Sequence, residues 1–197
     1  TKAQSALGGL LPTLWSDSHI AQLGLQYNTH ANKLPMADFI QAQDTPEGPF
    51  DIVILRLPKS HALLRDQIQR LLPQLAPRAL IIMPMMVKHI DSSVYKLLES
   101  LLGRLTTSLA RKKARLIFAV NNEAALGQSP KAEETRWTLP SLGISLQHFS
   151  GVFSRAKLDP GAQVLLDQFP QGPYQRVIDL GCGNGVQAIT AAKKWPQ

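Results

Sequence analysis

A chain of 197 residues with 44% hydrophobic and 18% charged residues has the apolar content for one large or two small cores, which excludes wholesale disorder. A single cysteine, Cys182, excludes an internal disulfide framework. With five scattered histidines it offers no zinc spacing, so no metal is expected and a reducing compartment, the cytoplasm, is the natural setting. The longest apolar stretches, such as Ala79–Val87, have strand length and cannot span a bilayer, and nothing at the start reads as a signal peptide.

The net charge of +7 is unevenly placed. Residues 51–115 carry twelve Lys and Arg against four acids, whereas residues 1–50 carry two against four and residues 116–197 seven against six. A surplus confined to one segment fits a polyanion-binding patch, because neutralising phosphates releases condensed counterions. A basic surface without a partner has the same composition.

The chain opens on Thr1 in what already reads as a helix (Ala6, Leu7, Leu10, Leu11), so the true N-terminus is expected upstream. Asp51–Leu57 is a nearly continuous apolar run with β-branched residues, which predicts a buried parallel strand. Pro58 and Lys59 end it, and Ser60 is placed to cap a helix with Leu63, Leu64, Ile68, Leu71 and Leu72 on one stripe, stopped by Pro73. Arg78–Met83 predicts a second buried strand. Asp91 or Ser92 opens a helix that places Val94, Leu97, Leu98, Leu101 and Leu102 on one side and closes at Gly103. Leu105–Ala110 and Ala114–Val120, joined by Arg111-Lys-Lys113, predict two strands at an antiparallel edge. The order predicts a doubly wound α/β domain.

Asn121–Glu133, polar and containing Gly127, Ser129 and Pro130, reads as a linker. Thr135–Leu139 and Ile144–Phe149 alternate as a hairpin around Pro140-Ser-Leu-Gly143. Asp159 and Pro160 suit the cap and first position of a helix to Phe169, with Val164, Leu165 and Phe169 on one face. Arg176–Leu180 predicts another buried strand, followed by a glycine loop and a helix from about Val186 to Lys194, the beginning of a second α/β unit.

The glycine loop, Asp179-Leu-Gly181-Cys182-Gly183-Asn184-Gly185, is the sharpest motif. Glycines let the backbone turn tightly and approach a ligand that a Cβ would exclude. Unpaired N–H groups at the helix start can receive a carboxylate, such as the methionine end of S-adenosylmethionine, and Asp179 would favour that cofactor's amino group. A dinucleotide fingerprint needs its third glycine one residue later, where Val186 stands, so the spacing disfavours NAD. The alternative is a merely tight strand-to-helix turn. Cys182 reads as a small loop filler, since nothing beside it suggests a base.

These residues, together with Val152-Phe-Ser-Arg155 and Leu158-Asp159-x-Gly161 upstream, resemble the bacterial ribosomal RNA guanine-N2 methyltransferases, which join two class I methyltransferase-like, Rossmann-like domains in tandem. Leu57-Pro-Lys-x-x-Ala-Leu-Leu64 and Lys112-Lys-Ala-Arg-Leu-Ile117 look like the large-subunit type, whose substrate is 23S rRNA; the small-subunit type is more distant. The resemblance implies that residues 1–130 are the second half of a degenerate N-terminal domain, and that residues 132–197 open the S-adenosyl-L-methionine-binding catalytic domain. It implies that Phe153, Arg155 and Gly161 lie beside the cofactor with the glycine loop, and that the whole protein methylates the exocyclic amine of guanine on a base held outside the duplex stack.

Where catalytic relatives carry Asn-Pro-Pro-aromatic, this sequence has Leu57-Pro58-Lys59-Ser60. The amine-holding groups are gone, which implies RNA binding or shaping for the first domain. Arg104, Arg111, Lys112, Lys113 and Arg115 are the candidates for phosphate contacts; a solvated edge hairpin would carry the same charges. The ribose-holding acid, the adenine contacts and the second domain's own Asn-Pro-Pro motif are not among the 197 residues. No catalytic residue is named, and the chain by itself is expected to be inactive. Two other readings stay open: an RNA-binding module on a decayed methyltransferase fold, and a methyltransferase acting on a glutamine amide in protein. The modified nucleotide and the oligomeric state are not legible.

Overall fold

The computed structural model describes residues 12–89, 91–121 and 135–196, which form two compact units: residues 12–56 with 68–121, and residues 57–67 with 135–196. The expected N-terminal helix, and the linker beyond Asn121, lie outside the described residues.

In the first unit, β1 (Thr13–Ser16) and β2 (Asp38–Gln41) pair in parallel through α1 (His19–Ala31). No element is predicted here from sequence. The helix explains why: Ile20, Leu23 and Tyr27 are exposed, so its apolar residues mark no core-facing stripe, and its start rests on Ser18 Oγ accepting the Ala21 N–H at 3.1 Å. A second sheet has the order β3-β4-β6-β5, with β3 (Phe50–Ile54) parallel to β4 (Leu75–Met86) and β6 (Ala114–Val120) antiparallel to both β4 and β5 (Leu105–Thr107). Between β3 and β4 in the chain runs α2 (His61–Leu71), started by Ser60 Oγ accepting from Leu63 N; its residues up to Gln67 fall in the second unit and the rest in the first. Between β4 and β5 runs α3 (Ser92–Leu102), where Asp91 Oδ1 accepts from Ser93 N and Val94 N and Gly103 ends the helix at φ 74°.

The core of this unit is the apolar stripe of α3 (Val94, Leu97, Leu98, Leu102) with Ile81 and Met83 of β4 and Ile117 and Ala119 of β6. Each large side chain contributes about 1.5–3 kcal/mol on burial. Arg70 braces β2's exit: its guanidinium donates to the carbonyls of Ala42, Gln43 and Asp44 and lies 4.7 Å from the Trp15 ring centroid.

Several expectations are corrected here. The Asp51–Leu57 strand is parallel but stops at Ile54 and is not buried: it is the sheet's edge, with Ile52 62% and Ile54 75% exposed. The Leu105–Ala110 strand ends at Thr107, beyond which Ser108 still donates its N–H to Leu116 O at 2.9 Å. Arg78–Met83 is the centre of a twelve-residue strand whose register shifts opposite Phe50 and Ile52, a bulge that holds Arg78 at φ 64°. Asn121 is not the start of a linker. It is buried, donating its backbone N–H to Ala79 O at 2.9 Å and its side-chain amide to Ala76 O at 3.0 Å, so it closes the end of β6.

In the second unit β7 (Thr135–Leu139) and β8 (Ile144–His148) form the antiparallel hairpin expected, turning through a 3₁₀ turn at Pro140–Leu142 and Gly143 in the left-handed region. Two helices follow, α4 (Pro160–Asp167), capped by Asp159 Oδ2 on Ala162 N at 3.1 Å, and α5 (Val186–Lys194). Ile144, Leu146, Ala162 and Val186 form the core, with Trp137, Leu139, Leu142, Leu158 and Leu166 packed around it. Lys193 Nζ ties α5 to the hairpin turn by donating to Leu142 O and Gly143 O. At the helix end, Trp195 stacks on Phe169 and meets Tyr174 edge-on.

Two expectations fail in this unit. α4 buries Ala162, while Val164 and Leu165 face solvent at 64% and 46% exposed. Arg176–Leu180 forms no strand and pairs with none, Leu180 already being part of the turn, and Val177, Ile178 and Leu180 are exposed. A parallel strand needs a neighbour reached by a crossover of a dozen or more residues, and the only strands described in this unit belong to the β7–β8 hairpin.

Candidate functional site

The glycine loop forms the turn between residues 176–180 and α5. Gly181, Gly183 and Gly185 stand at φ 79°, 53° and 78°, a conformation costing any L-residue about 1–2 kcal/mol. The loop closes through Gly185 N–H on Cys182 O at 2.7 Å and Ile189 N–H on Gly185 O at 2.9 Å. Gly185 gives α5 no side-chain cap; instead Asn184 Oδ1 accepts the Val186 N–H at 3.1 Å. The remaining first-turn amides have no intrahelical acceptor and sit at the positive end of the helix dipole.

What surrounds each glycine differs. A Cβ on Gly181 would meet no atom within 4 Å, so the space beside it is open. A Cβ on Gly183 would lie 3.6 Å from Phe153 Cδ1. The Phe153 ring therefore rests at the glycine turn, and it is 68% exposed. Asn184 Nδ2 also donates to Ser154 O at 3.4 Å, joining the turn to the same segment.

Asp179 carries the second signal. The residue is half-buried, but its Oδ2 is fully buried and has no hydrogen-bond partner. It lines an open groove of about 450 Å³ with Tyr174, Gln175, Arg176 and Val177, together with Ala188, Ala191 and Ala192 of α5 and Trp195 just after it. An unsatisfied buried carboxylate oxygen costs about 1–3 kcal/mol or more, which a cationic donor would offset.

Of the residues expected at this site, the structure brings Phe153 to the 181–185 turn, while Asp179, two residues before Gly181, lines a groove that includes neither Phe153 nor residues 181–185. Arg155 is next in line: its carbonyl accepts from Trp137 Nε1 at 3.0 Å. Cys182 is a free, exposed thiol. Gly161 stands in the first turn of α4, where its missing Cβ leaves room for the Asp159 cap, since a Cβ would come within 3.0 Å of Asp159 Oδ2. Its observed role is in that cap. Trp137 and the left-handed Ser154 (φ 57°) carry no sequence signal: a half-buried Trp in a hairpin reads as core, and a serine does not announce a positive φ.

The basic candidates separate. Arg111, Lys112 and Lys113 form the exposed tip of the β5–β6 hairpin, closed by the Arg111–Ala114 bridge. Arg115 is half-buried on the side of β6 that carries Ile117 and Ala119, with its Nε buried and unpartnered. Arg104 is exposed but precedes Leu105, which pairs with Ala119 at the far end of β6. At ~3.4 Å per residue it lies roughly 20 Å from the tip. Among the described residues no group of three or more His, Cys, Asp or Glu is placed to hold a metal ion, and no helix is long and apolar enough to cross a membrane.

The comparisons with known proteins fall on the same two units. The RLMG N-terminal domain family matches residues 4–123, more than half of the chain, and the Methyltransferase small domain family matches residues 143–197. Proteins named ribosomal RNA large subunit methyltransferase G are 41% identical over 95% of this chain in Pseudomonas entomophila and 41% identical over 94% in Photobacterium profundum. The matched regions are 51% and 49% of those proteins, so the chain spans about half the length of the curated relatives it matches. A solved structure, the T. Thermophilus 16S rRNA N2 methyltransferase RsmC in complex with AdoMet and guanosine, aligns at TM-score 0.55 and 15% identity. It covers 80% of this chain and 48% of that one. That likeness, with the second family match, shows the class I methyltransferase fold.

Proposed function

Because the chain belongs to the ribosomal RNA large subunit methyltransferase G family, we propose that it is part of an S-adenosylmethionine-dependent methyltransferase acting on guanine N2 of 23S rRNA, with residues 132–197 opening the catalytic domain and residues 1–130 belonging to a degenerate domain that contacts RNA. The observation that carries the cofactor assignment is Asp179 Oδ2, buried without a partner at the foot of a turn whose three glycines are all left-handed.

The cofactor supplies an electrophilic sulfonium methyl when bound, and the residues present fit its amino-acid end. Asp179 Oδ2 is an acceptor for an ammonium group; the first-turn amides of α5 are donors for a carboxylate. Gly181 leaves open space where a side chain would stand. Phe153 rests at the Gly183 face of the turn. NAD fits less well, since Val186, where its third glycine is needed, is fully buried as part of the core. No member of this constellation reaches for a proton, and none is assigned a chemical step. The rRNA specificity is supported by the relatives' names, and the guanine N2 target by the solved neighbour's. A cytoplasmic setting follows from that substrate.

The test is methyl transfer from labelled S-adenosylmethionine by the intact protein to 23S rRNA lacking the modification, with the product nucleoside identified by mass spectrometry. N2-methylguanosine is expected, with the 197-residue chain alone giving none. Transfer to protein glutamine, or turnover by the 197-residue chain, would overturn the corresponding part of the proposal.

RNA contact by the first unit is supported by the hairpin tip. Lys112 and Lys113 stand at φ 49° and 63°, the two left-handed positions of a two-residue turn that Asn-Gly fills with less strain. Two lysines held at a cost of about 1 kcal/mol each point to a use for their charge. The double change Lys112→Asn, Lys113→Gly is therefore expected to raise the melting temperature while weakening RNA binding. It should also lower the slope of log affinity against log salt by about 2, as loss of two phosphate contacts requires. Unchanged RNA affinity and slope in filter binding across a salt series would remove the tip from the interface.

A further inference from the structure

The segment that seats Phe153 is fastened from three directions. Ser154 is in the left-handed region at φ 57°, a conformation that costs a non-glycine residue about 1 kcal/mol or more and persists only where surroundings hold it. Its Oγ donates to Lys157 O, closing a tight turn. Its carbonyl accepts from Asn184 Nδ2, on the glycine turn. The next carbonyl, that of Arg155, accepts from Trp137 Nε1 at 3.0 Å. Trp137 is itself fixed. Its ring stacks on His148 with centroids 5.6 Å apart and planes 8° from parallel, and His148, 1% exposed, meets Thr135 O through Nδ1 at 3.3 Å. Trp137 and His148 occupy diagonal positions on one face of the β7–β8 ladder, since Trp137 faces Leu146 and His148 faces Thr135.

We infer that Trp137 is a positioning residue for the cofactor site, its indole N–H on the Arg155 carbonyl holding the strained Ser154–Arg155 turn that keeps Phe153 against Gly183. The inference rests on the cofactor reading above. The hairpin is the rigid part: its core contacts and the His148 stack leave the indole one position, whereas the Asn184 bond at 3.4 Å is long and would not hold a strained turn by itself. Without the Trp137 bond, Ser154 keeps its Oγ bond to Lys157 O, which lies within the same segment, and the long bond from Asn184; the expected result is that Ser154 relaxes out of the left-handed region and Phe153 leaves the turn with it.

The test uses the intact protein and Trp137→Phe, which keeps an aromatic ring beside His148, deletes the N–H donor and also removes one ring of the indole from the packing around the core. The dissociation constant for S-adenosylmethionine, measured by calorimetry, is expected to rise about tenfold, with RNA affinity unchanged and the melting temperature of the unliganded protein within a few degrees of wild type. A merely structural role would lower the melting temperature and weaken RNA binding as well. Wild-type cofactor affinity in the variant overturns the inference, whereas a wild-type protein that does not bind the cofactor overturns the site reading on which it rests. Should the variant fail to fold, hydrogen exchange at the Trp137 indole N–H of the wild type decides: slower exchange on adding cofactor is expected, and an unchanged rate refutes the coupling.

Discussion

Gly181→Ala is expected to raise the dissociation constant for S-adenosylmethionine about a hundredfold, roughly 2.7 kcal/mol, while lowering the stability of the unliganded protein by only about 1–2 kcal/mol. The stability term is backbone alone: Gly181 stands at φ 79°, and its new methyl would meet no protein atom within 4 Å. Loss of affinity beyond that term therefore reports a ligand in the open space. Gly143→Ala is the matched control in the same unit. Gly143 is also left-handed, at φ 58° and ψ 40°, and its new methyl would lie 3.2 Å from Lys193 Nζ, which donates to Leu142 O and Gly143 O and must shift by a few tenths of an ångström, so the control adds a small loss in that tie to the backbone term. Comparable destabilisation with cofactor affinity within twofold of wild type is expected there. Calorimetric titration and thermal melting of both variants check the pair. If Gly181→Ala binds the cofactor like wild type, the open space beside the turn is not where the ligand lies.

Gly183 is a different case. Its φ is 53°, but a methyl there would sit 3.6 Å from Phe153, an ordinary contact that adds packing rather than a clash. An alanine at Gly183 mixes backbone strain with a shifted aromatic ring, and for that reason it is the less informative substitution.

The parts of this molecule that were legible from sequence are those whose physics is local. Ser60, Asp91 and Asp159 are read as caps because a short acceptor before an apolar stripe satisfies helix N–H groups a few positions away, and the structure places all three so. Pro140–Gly143 is read as a turn because Pro140 fixes its own φ and Gly143 admits the left-handed one. The glycine spacing is legible for the same reason. Burial is not local. Asp51–Leu57 and Arg176–Leu180 have the composition of strands covered on both faces, but one is a sheet edge and the other is unpaired; what covers a strand is decided by distant segments. Around α1 the helical spacing of Ile20, Leu23 and Tyr27 is short and marks no core-facing stripe, since all three remain in solvent.

The site divides along the same line. Asp179 and the 181–185 turn were candidates from their order alone, but the bonds that organise them reach across the chain, 18 positions from Trp137 to Arg155 and 30 from Ser154 to Asn184. No periodicity records them. The basic cluster divides as well. Five charges close in sequence are spread by the fold: strand alternation turns Arg115 towards the core side of β6, and hairpin geometry carries Arg104 to its far end.

Asp179→Asn should move stability and affinity in opposite directions. In the unliganded protein the Asp179 Oδ2 is buried without a hydrogen bond, so the fold carries the desolvation cost of part of a carboxylate with no compensating donor. Asparagine keeps the shape and removes the charge. The unliganded variant is therefore expected to be at least as stable as wild type, by up to about 1 kcal/mol in denaturant titrations. Its affinity for S-adenosylmethionine should fall about a hundredfold, because a charge-assisted hydrogen bond to the ammonium is lost and an amide nitrogen can be left facing it. Salt sharpens the test: a buried ion pair is screened little, so the deficit should persist at high ionic strength. A structural aspartate behaves otherwise, and its replacement would lower stability and affinity together. That joint loss, or an affinity indifferent to the charge, would place the cofactor's ammonium elsewhere and leave the orphaned oxygen without a ligand to explain it.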